Sequence, residues 1–191
     1  MNNKNLRFLQ GSAPSVARQL LGCTLIRTLD HHILKARIVE TEAYDETDAA
    51  SHSHNGRTPR TNVMFGEAGH LYVYFSYGMH YCCNIVVGSV GEGSAVLIRA
   101  VEPLEGESIM EQYRKGHVGK FLTNGPAKLC QALSIDGTLN GHSLTKRPLN
   151  LLNTEVLSSE TVVQTTRIGI SRAIDTPWRF YIKNNPYVSR A

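Results

Sequence analysis

With 191 residues, 41% of them hydrophobic and 19% charged, the chain reads as one globular domain, residues 1–191, long enough to bury a substantial core. Its 20 basic residues exceed its 16 acidic ones, and a net charge of +4 permits a polyanionic partner without requiring one. No apolar run approaches a membrane span, and the polar start Met1-Asn-Asn-Lys4 carries no export signal, so neither membrane insertion nor secretion is expected.

Taken in order, residues 12–22 predict a short helix. Ser12 stands at the cap, Pro14 in the first turn, Val16, Ala17, Leu20 and Leu21 on one side, and Gly22 at the stop. Cys23–Leu29 and Ile33–Glu42 read as a β-hairpin turning at Asp30-His31-His32. The second strand ends in Glu40-Thr-Glu-Ala-Tyr44. Period-two alternation predicts that Ala36, Ile38, Glu40, Glu42 and Tyr44 share one face, with the two carboxylates about one water apart. That spacing suits a base that activates water beside a bound ring. It equally suits a strand end with solvated glutamates, paired to Lys35 or Arg37.

Residues 45–62 are polar, broken by Gly56 and Pro59, and read as a long loop with one helical turn near Thr47–Ser51. Gly69–Val87 is rich in aromatic and β-branched residues and predicts a hairpin turning at Ser76–Met79, with Tyr77 at an exposed tip. Tyr72, on the strand before it, reads as plain packing on the sheet. A strand over Ala95–Val101 and a helix over Pro103–Lys115 follow. Asn124-Gly-Pro-Ala-Lys128 opens another helix, a start that suits phosphate or no ligand at all. Leu149–Val156, Thr165–Ser171 and Arg179–Lys183 predict the last strands, before a turn at Asn184-Asn-Pro186.

Several chemistries find no pattern in the sequence. The four cysteines, Cys23, Cys82, Cys83 and Cys130, show no CxxC spacing and read as reduced thiols. Asp48, His52 and His54 offer ligand types without a metal-site spacing, so no metal is expected. GxSxG, phosphate-loop and dinucleotide fingerprints are all missing. Glu40 and Glu42 as the acid and base of a glycosidase lie on the same side of any ligand, whereas inversion needs both sides. One carboxylate as base, with a leaving group that needs little help, fits better. Together with the aromatics, the exposed tip and the basic balance, this suits an enzyme that rotates a base out of duplex DNA.

The chain resembles the alkyladenine (3-methyladenine, N-methylpurine) DNA glycosylase family of the mammalian type. The matching segments include Arg37–Tyr44, Ala50-Ser-His-Ser53, Thr58-Pro-Arg60, Leu71-Tyr-Val-Tyr74, Tyr77-Gly-Met79, Val96-Leu-Ile-Arg99, Glu102–Gly106, Gly125–Leu133 and Arg179-Phe-Tyr181, in the family's order. The resemblance implies an α+β fold: one domain with a curved, mainly antiparallel sheet, surrounding helices and a protruding hairpin. It implies a monofunctional enzyme that excises alkylated, deaminated or etheno purines from duplex DNA and leaves an abasic site. By the same resemblance Glu42 is the general base and Arg99 holds the water and the carboxylate. Tyr44, His52 and Tyr74 wall the base pocket, Asn84 crowds the 2-amino group of guanine, and Tyr77 is the intercalating wedge. Lys128 is a phosphate contact; Arg57 and Arg60 join it on charge and loop position. Glu40 has no assigned catalytic role and reads as structural or electrostatic, and Cys83, beside Asn84, departs from the family pattern together with His80. No cofactor is expected. The partner is damaged double-stranded DNA, bound by a monomer that is cytoplasmic and nucleoid-associated or lies elsewhere with access to DNA. The rival readings are a damaged-DNA binder without chemistry and a glycosidase of nucleosides.

Overall fold

Among the described residues, eight antiparallel strands curl into one sheet whose long central strand meets three neighbours. The computed structural model describes residues 3–76 and 78–189. After a 3-10 helix (Asn3–Gln10), α1 spans Ala13–Gln19 with Pro14 in its first turn; Ser12 precedes it but makes no side-chain cap. Val16, Ala17, Leu20 and Leu21 are buried. Gly22, at φ +87°, ends this segment where a side chain has no room: a Cβ would lie 2.6 Å from the Glu155 backbone.

The strands are β1 (Thr24–Leu29), β2 (His32–Tyr44), β3 (Leu71–Ser76), β4 (His80–Val86), β5 (Ala95–Glu105), β6 (Leu149–Leu152), β7 (Val162–Thr165) and β8 (Arg179–Ile182). The order is β3-β4-β5-β2-β1-β6, and β8 joins β2 and carries β7. One edge of β2 pairs with β5. The other is divided: β1 covers it from His32 to Arg37, and β8 from Glu40 to Glu42. The sheet therefore forks at residues 38–39. Helices α1, α2 (Glu107–Tyr113) and α3 (Pro126–Ala132) complete the α+β fold; α1 packs on β2, and α3 on β4 and β5.

The fork coincides with a β-bulge. Against β5, Ile38 pairs with Val101 and Glu40 with Ala100, so β2 carries one extra residue there. The bulge corrects the simple alternation. Ala36 and Ile38 face the helices, but so do Val39 and Ala43, all in the core, and Thr41, whose hydroxyl donates to the Ala17 carbonyl at 2.8 Å. Glu40, Glu42 and Tyr44 face the opposite side, the side of Lys35 and Arg37. The phase of the strand shifts by one residue at Val39.

Three predicted elements change. The segment after Pro103 continues as β5 because Glu102 and Glu105 lie across from Arg37 and Lys35 and pair with them, at 3.3 and 2.6 Å. Helix α2 starts only after Gly106, whose left-handed φ of +80° turns the chain. The predicted strand Thr165–Ser171 is mostly loop: β7 ends at Thr165, and Arg167 then turns inward. Strand β6 likewise ends at Leu152, short of Val156.

Candidate active site

One rung of the sheet makes the floor of the site. Tyr72 pairs with Asn84, Asn84 with Leu97, Leu97 with Glu42, and Glu42 with Arg179. Directly paired residues point to the same side of a sheet, so five strands contribute one side chain each to a common face. Above this row lies a pocket of about 720 Å³, lined among others by Glu42, Tyr44, His52, Tyr74, Asn84 and Arg99. That is the size range of small-molecule sites.

The glutamates are not solvated: both are fully buried, at 0% exposure. Between them stands Arg99. On β5 it is itself an extra residue, since Glu40 pairs with Ala100 and Thr41 with Ile98. This second irregularity aims its guanidinium across β2. Nε donates to Glu40 at 3.1 Å and Nη1 contacts Glu42 at 3.2 Å, so a cation fills the gap expected for a water. Glu40 also accepts from Arg179 Nε at 2.7 Å and from the Ser189 backbone and hydroxyl at 2.7 and 2.9 Å. Two carboxylates and two guanidiniums thus balance in a buried quartet. Burial works against the charge on Arg99, but Glu42 and Glu40 more than offset it and hold its pKa above the ordinary value.

Glu42 Oε1 further accepts from the Ile168 backbone N–H at 2.8 Å, and Oε2 from the Tyr44 hydroxyl at 2.7 Å. Burial, reinforced by the Glu42 charge, raises the Tyr44 pKa far above that of a free phenol, so Tyr44 stays a donor. Its ring lies 4.7 Å from the Arg167 guanidinium. Arg167 forks onto Asp48, with Nη2 to Oδ1 at 3.0 Å, and donates to the Ala43 carbonyl at 2.9 Å. The pair is almost completely buried and ties loop 45–54 to loop 166–173 beside the site. Asp48, a metal-ligand type by sequence, is thus an anchor for Arg167.

The opposite wall is aromatic. Tyr72 and Tyr74 stack with centroids 5.5 Å apart, and the His52 ring meets Tyr74 edge-on at 4.6 Å. His52 Nδ1 hydrogen-bonds the Tyr72 hydroxyl at 3.0 Å. One side of the His52 ring opens to solvent. The protein around it, and then the Arg60 charge, still lower its pKa and favour the neutral ring. Asn84 is buried and donates to the Tyr72 carbonyl at 3.1 Å. Cys83 faces away from the pocket into the core, beside Cys130; Cys82 is the cysteine that lines it. The departure at residue 83 therefore does not touch the pocket surface.

The remaining candidates lie farther out. Arg60 lines the pocket with its guanidinium 5.6 Å from the Tyr74 ring. Arg57 sits 5.2 Å from the Phe65 ring and donates to the Phe65 carbonyl. Lys128 donates to Asn124 Oδ1 at 2.7 Å on the first turn of α3. Tyr77 lies outside the described residues; its neighbours Phe75 and Met79 are exposed.

Sequence reasoning missed three contributors. Tyr72 packs with Met64 and Phe65, as expected of a sheet tyrosine, but its hydroxyl also holds His52. Arg167 and Ile168 carry no local signal, because their partners Asp48 and Glu42 lie more than a hundred positions away.

Comparison with known proteins settles the lineage. The family model for methylpurine-DNA glycosylase matches residues 7–186. The chain belongs to this family. Relatives provisionally named 3-methyladenine DNA glycosylase match nearly all of its length. The protein of Carboxydothermus hydrogenoformans is 52% identical over 176 residues, 92% of each chain. Those of Methanoculleus marisnigri and Francisella tularensis are both 47% identical, over 96% and 100% of each chain. The matched residues span every strand of the sheet described above, including the row that carries Glu42.

Proposed function

We propose that the chain is a monofunctional DNA glycosylase that hydrolyses the bond between the sugar and an alkylated purine in duplex DNA, leaving an abasic site. The observation that carries this reading is a buried carboxylate, Glu42, bordering a pocket of purine-accommodating size with Arg99 on one side and aromatic rings on the other. Glu42 removes a proton from water, the water oxygen bonds to C1′ of the sugar, and the bond from C1′ to the purine nitrogen breaks with its electrons leaving on the base. A purine methylated at N3 or N7 is already cationic and departs without an acid. Tyr44, His52 and Tyr74 stack on the extruded base, and electron-rich rings attract a cationic one. No lysine lines the pocket among the described residues, which supports hydrolysis over a Schiff-base route.

In the structure Oε2 of Glu42 is capped by the Tyr44 hydroxyl. Water reaches the base at the acceptor position of Oε2 that this hydroxyl leaves open. Asn84 stands at the floor to crowd an exocyclic amine, Tyr77 fills the gap in the stack, and Lys128, Arg57 and Arg60 meet phosphates. A single domain, residues 1–191, works as a monomer on damaged duplex. Deaminated and etheno purines extend the substrate range. Among the described residues no helix is long and apolar enough to cross a membrane, in keeping with a protein that reaches DNA.

The test is Glu42→Gln on methylated duplex DNA. Release of 3-methyladenine is lost while affinity for a lesion duplex is kept. Retained turnover would remove Glu42 as the base. Equal loss of binding and turnover would favour a structural role.

A further inference from the structure

The ion cluster beneath the pocket contains a carboxylate that the chemistry above does not use. We infer that Glu40 is a positioning residue: it holds Arg99 in a one-point contact with Glu42 and so keeps an acceptor position of the base available. This rests on the reading of Glu42 as the base.

A carboxylate offers about four acceptor positions. On Glu42, Oε1 accepts from the Ile168 N–H and lies in ion contact with Arg99 Nη1 at 3.2 Å, and Oε2 accepts from the Tyr44 hydroxyl. One position on Oε2 remains. An arginine next to a lone carboxylate closes onto it with two parallel hydrogen bonds. Here it does not. The Nε edge of Arg99 is taken by Glu40 at 3.1 Å, and Nη2 by the Ser189 hydroxyl at 3.4 Å, itself bonded to Glu40. Only Nη1 reaches Glu42, at 3.2 Å, longer than a typical charge-assisted bond. Glu40 is in turn immobilised by Arg179 and the Ser189 backbone N–H, so it has no freedom to follow Arg99 toward the pocket. Without the Glu40 charge, Arg99 rotates onto Glu42, closes the fork and occupies the last acceptor position.

The inference separates from a bulk stability effect by where it acts. In single-turnover release of 3-methyladenine from methylated duplex DNA, Glu40→Gln is expected to slow the chemical step by about ten- to a hundredfold. Its Kd for a duplex carrying a stable abasic analogue should stay within about twofold. The decisive comparison is the double-mutant cycle with Arg99→Met. If Glu40 acts through Arg99, adding Glu40→Gln to Arg99→Met changes the rate by less than about twofold. Multiplicative losses would overturn the inference, as would a wild-type rate in Glu40→Gln. Should Glu40→Gln fail to fold, Ser189→Ala takes its place. It is expected to slow the chemical step in the Arg99 background but not in Arg99→Met, and an unchanged rate in the former would overturn the inference. Glu42→Gln in the same assay keeps the two readings apart. If it still turns over, the base assignment fails; if it is inactive while Glu40 and Arg99 act independently, only the positioning role fails.

Discussion

The two walls of the pocket are built on opposite principles. The wall of β2, β5 and β8, backed by the Asp48–Arg167 pair, is ionic, buried and charge-paired: Glu40, Glu42, Arg99 and Arg179 are fixed by contacts that span distant parts of the chain. The wall of the β3–β4 hairpin and His52 is aromatic and open. Its rings touch by edges and faces, one hydrogen bond orients His52, and the hairpin ends in exposed Phe75 and Met79. A reaction that needs a proton acceptor in one fixed place, and a base that must enter from outside, calls for this division. Buried charges tolerate no slack, because an unpaired one costs several kcal/mol, whereas stacked rings adapt to more than one purine.

Breaking the ionic wall should have the larger consequences. Glu42→Gln is expected to reduce base release by about a hundred- to ten-thousandfold, the usual worth of a general base, with little change in lesion binding; single-turnover rates and a binding isotherm check this. Asp48→Ala strands Arg167 in the interior. It should lower unfolding free energy by about 3–5 kcal/mol in urea titration, with Tyr44 losing its backing. A change within about 0.5 kcal/mol would mean that the buried pair holds nothing.

The aromatic wall should respond more mildly. Tyr74→Ala is expected to weaken lesion-duplex binding by about 1–3 kcal/mol without altering the urea midpoint as Asp48→Ala does. Equal effects on both would dissolve the contrast between the walls. The neutral state of His52 gives a pH test. Burial and Arg60 depress its folded pKa, so the folded form binds fewer protons than the unfolded one. Its contribution is fully present above the unfolded value of about 6.5 and is lost as pH falls below it. Melting temperature should therefore fall on acidification more steeply in the wild type than in His52→Gln. The smallest effect is at the periphery: Lys128→Gln should flatten the slope of log affinity against log salt by about one, equally for damaged and undamaged duplex.

The local elements were largely legible. The hairpins at 24–44 and 71–86 follow from alternating β-branched and aromatic residues around turn signals, and the helix at 126–132 from Pro126 and its apolar side. What the sequence concealed is non-local. Alternation assigns Ile38 and Glu40 to one face, and nothing in the letters marks the bulge that separates them; it arises where β1 stops and β8 begins. The Thr165–Ser171 segment has strand composition, yet its Arg167 finds more in Asp48 than in a ladder. Glu40 had no assigned partner because Arg99, Arg179 and Ser189 come from three separate stretches.

The extra residue at Val39 has a bearing on how this strand can vary. Positions on either side of it keep their faces whatever side chains they carry, so long as Val39 stays out of the ladder. Drawing Val39 into the regular ladder would turn Glu40 and Glu42 toward the helices and send Thr41 and Ala43 to the pocket side, erasing the acidic floor while leaving composition untouched. Insertions and deletions in this lineage should accordingly gather in the loops and spare the eight residues from Arg37 to Tyr44.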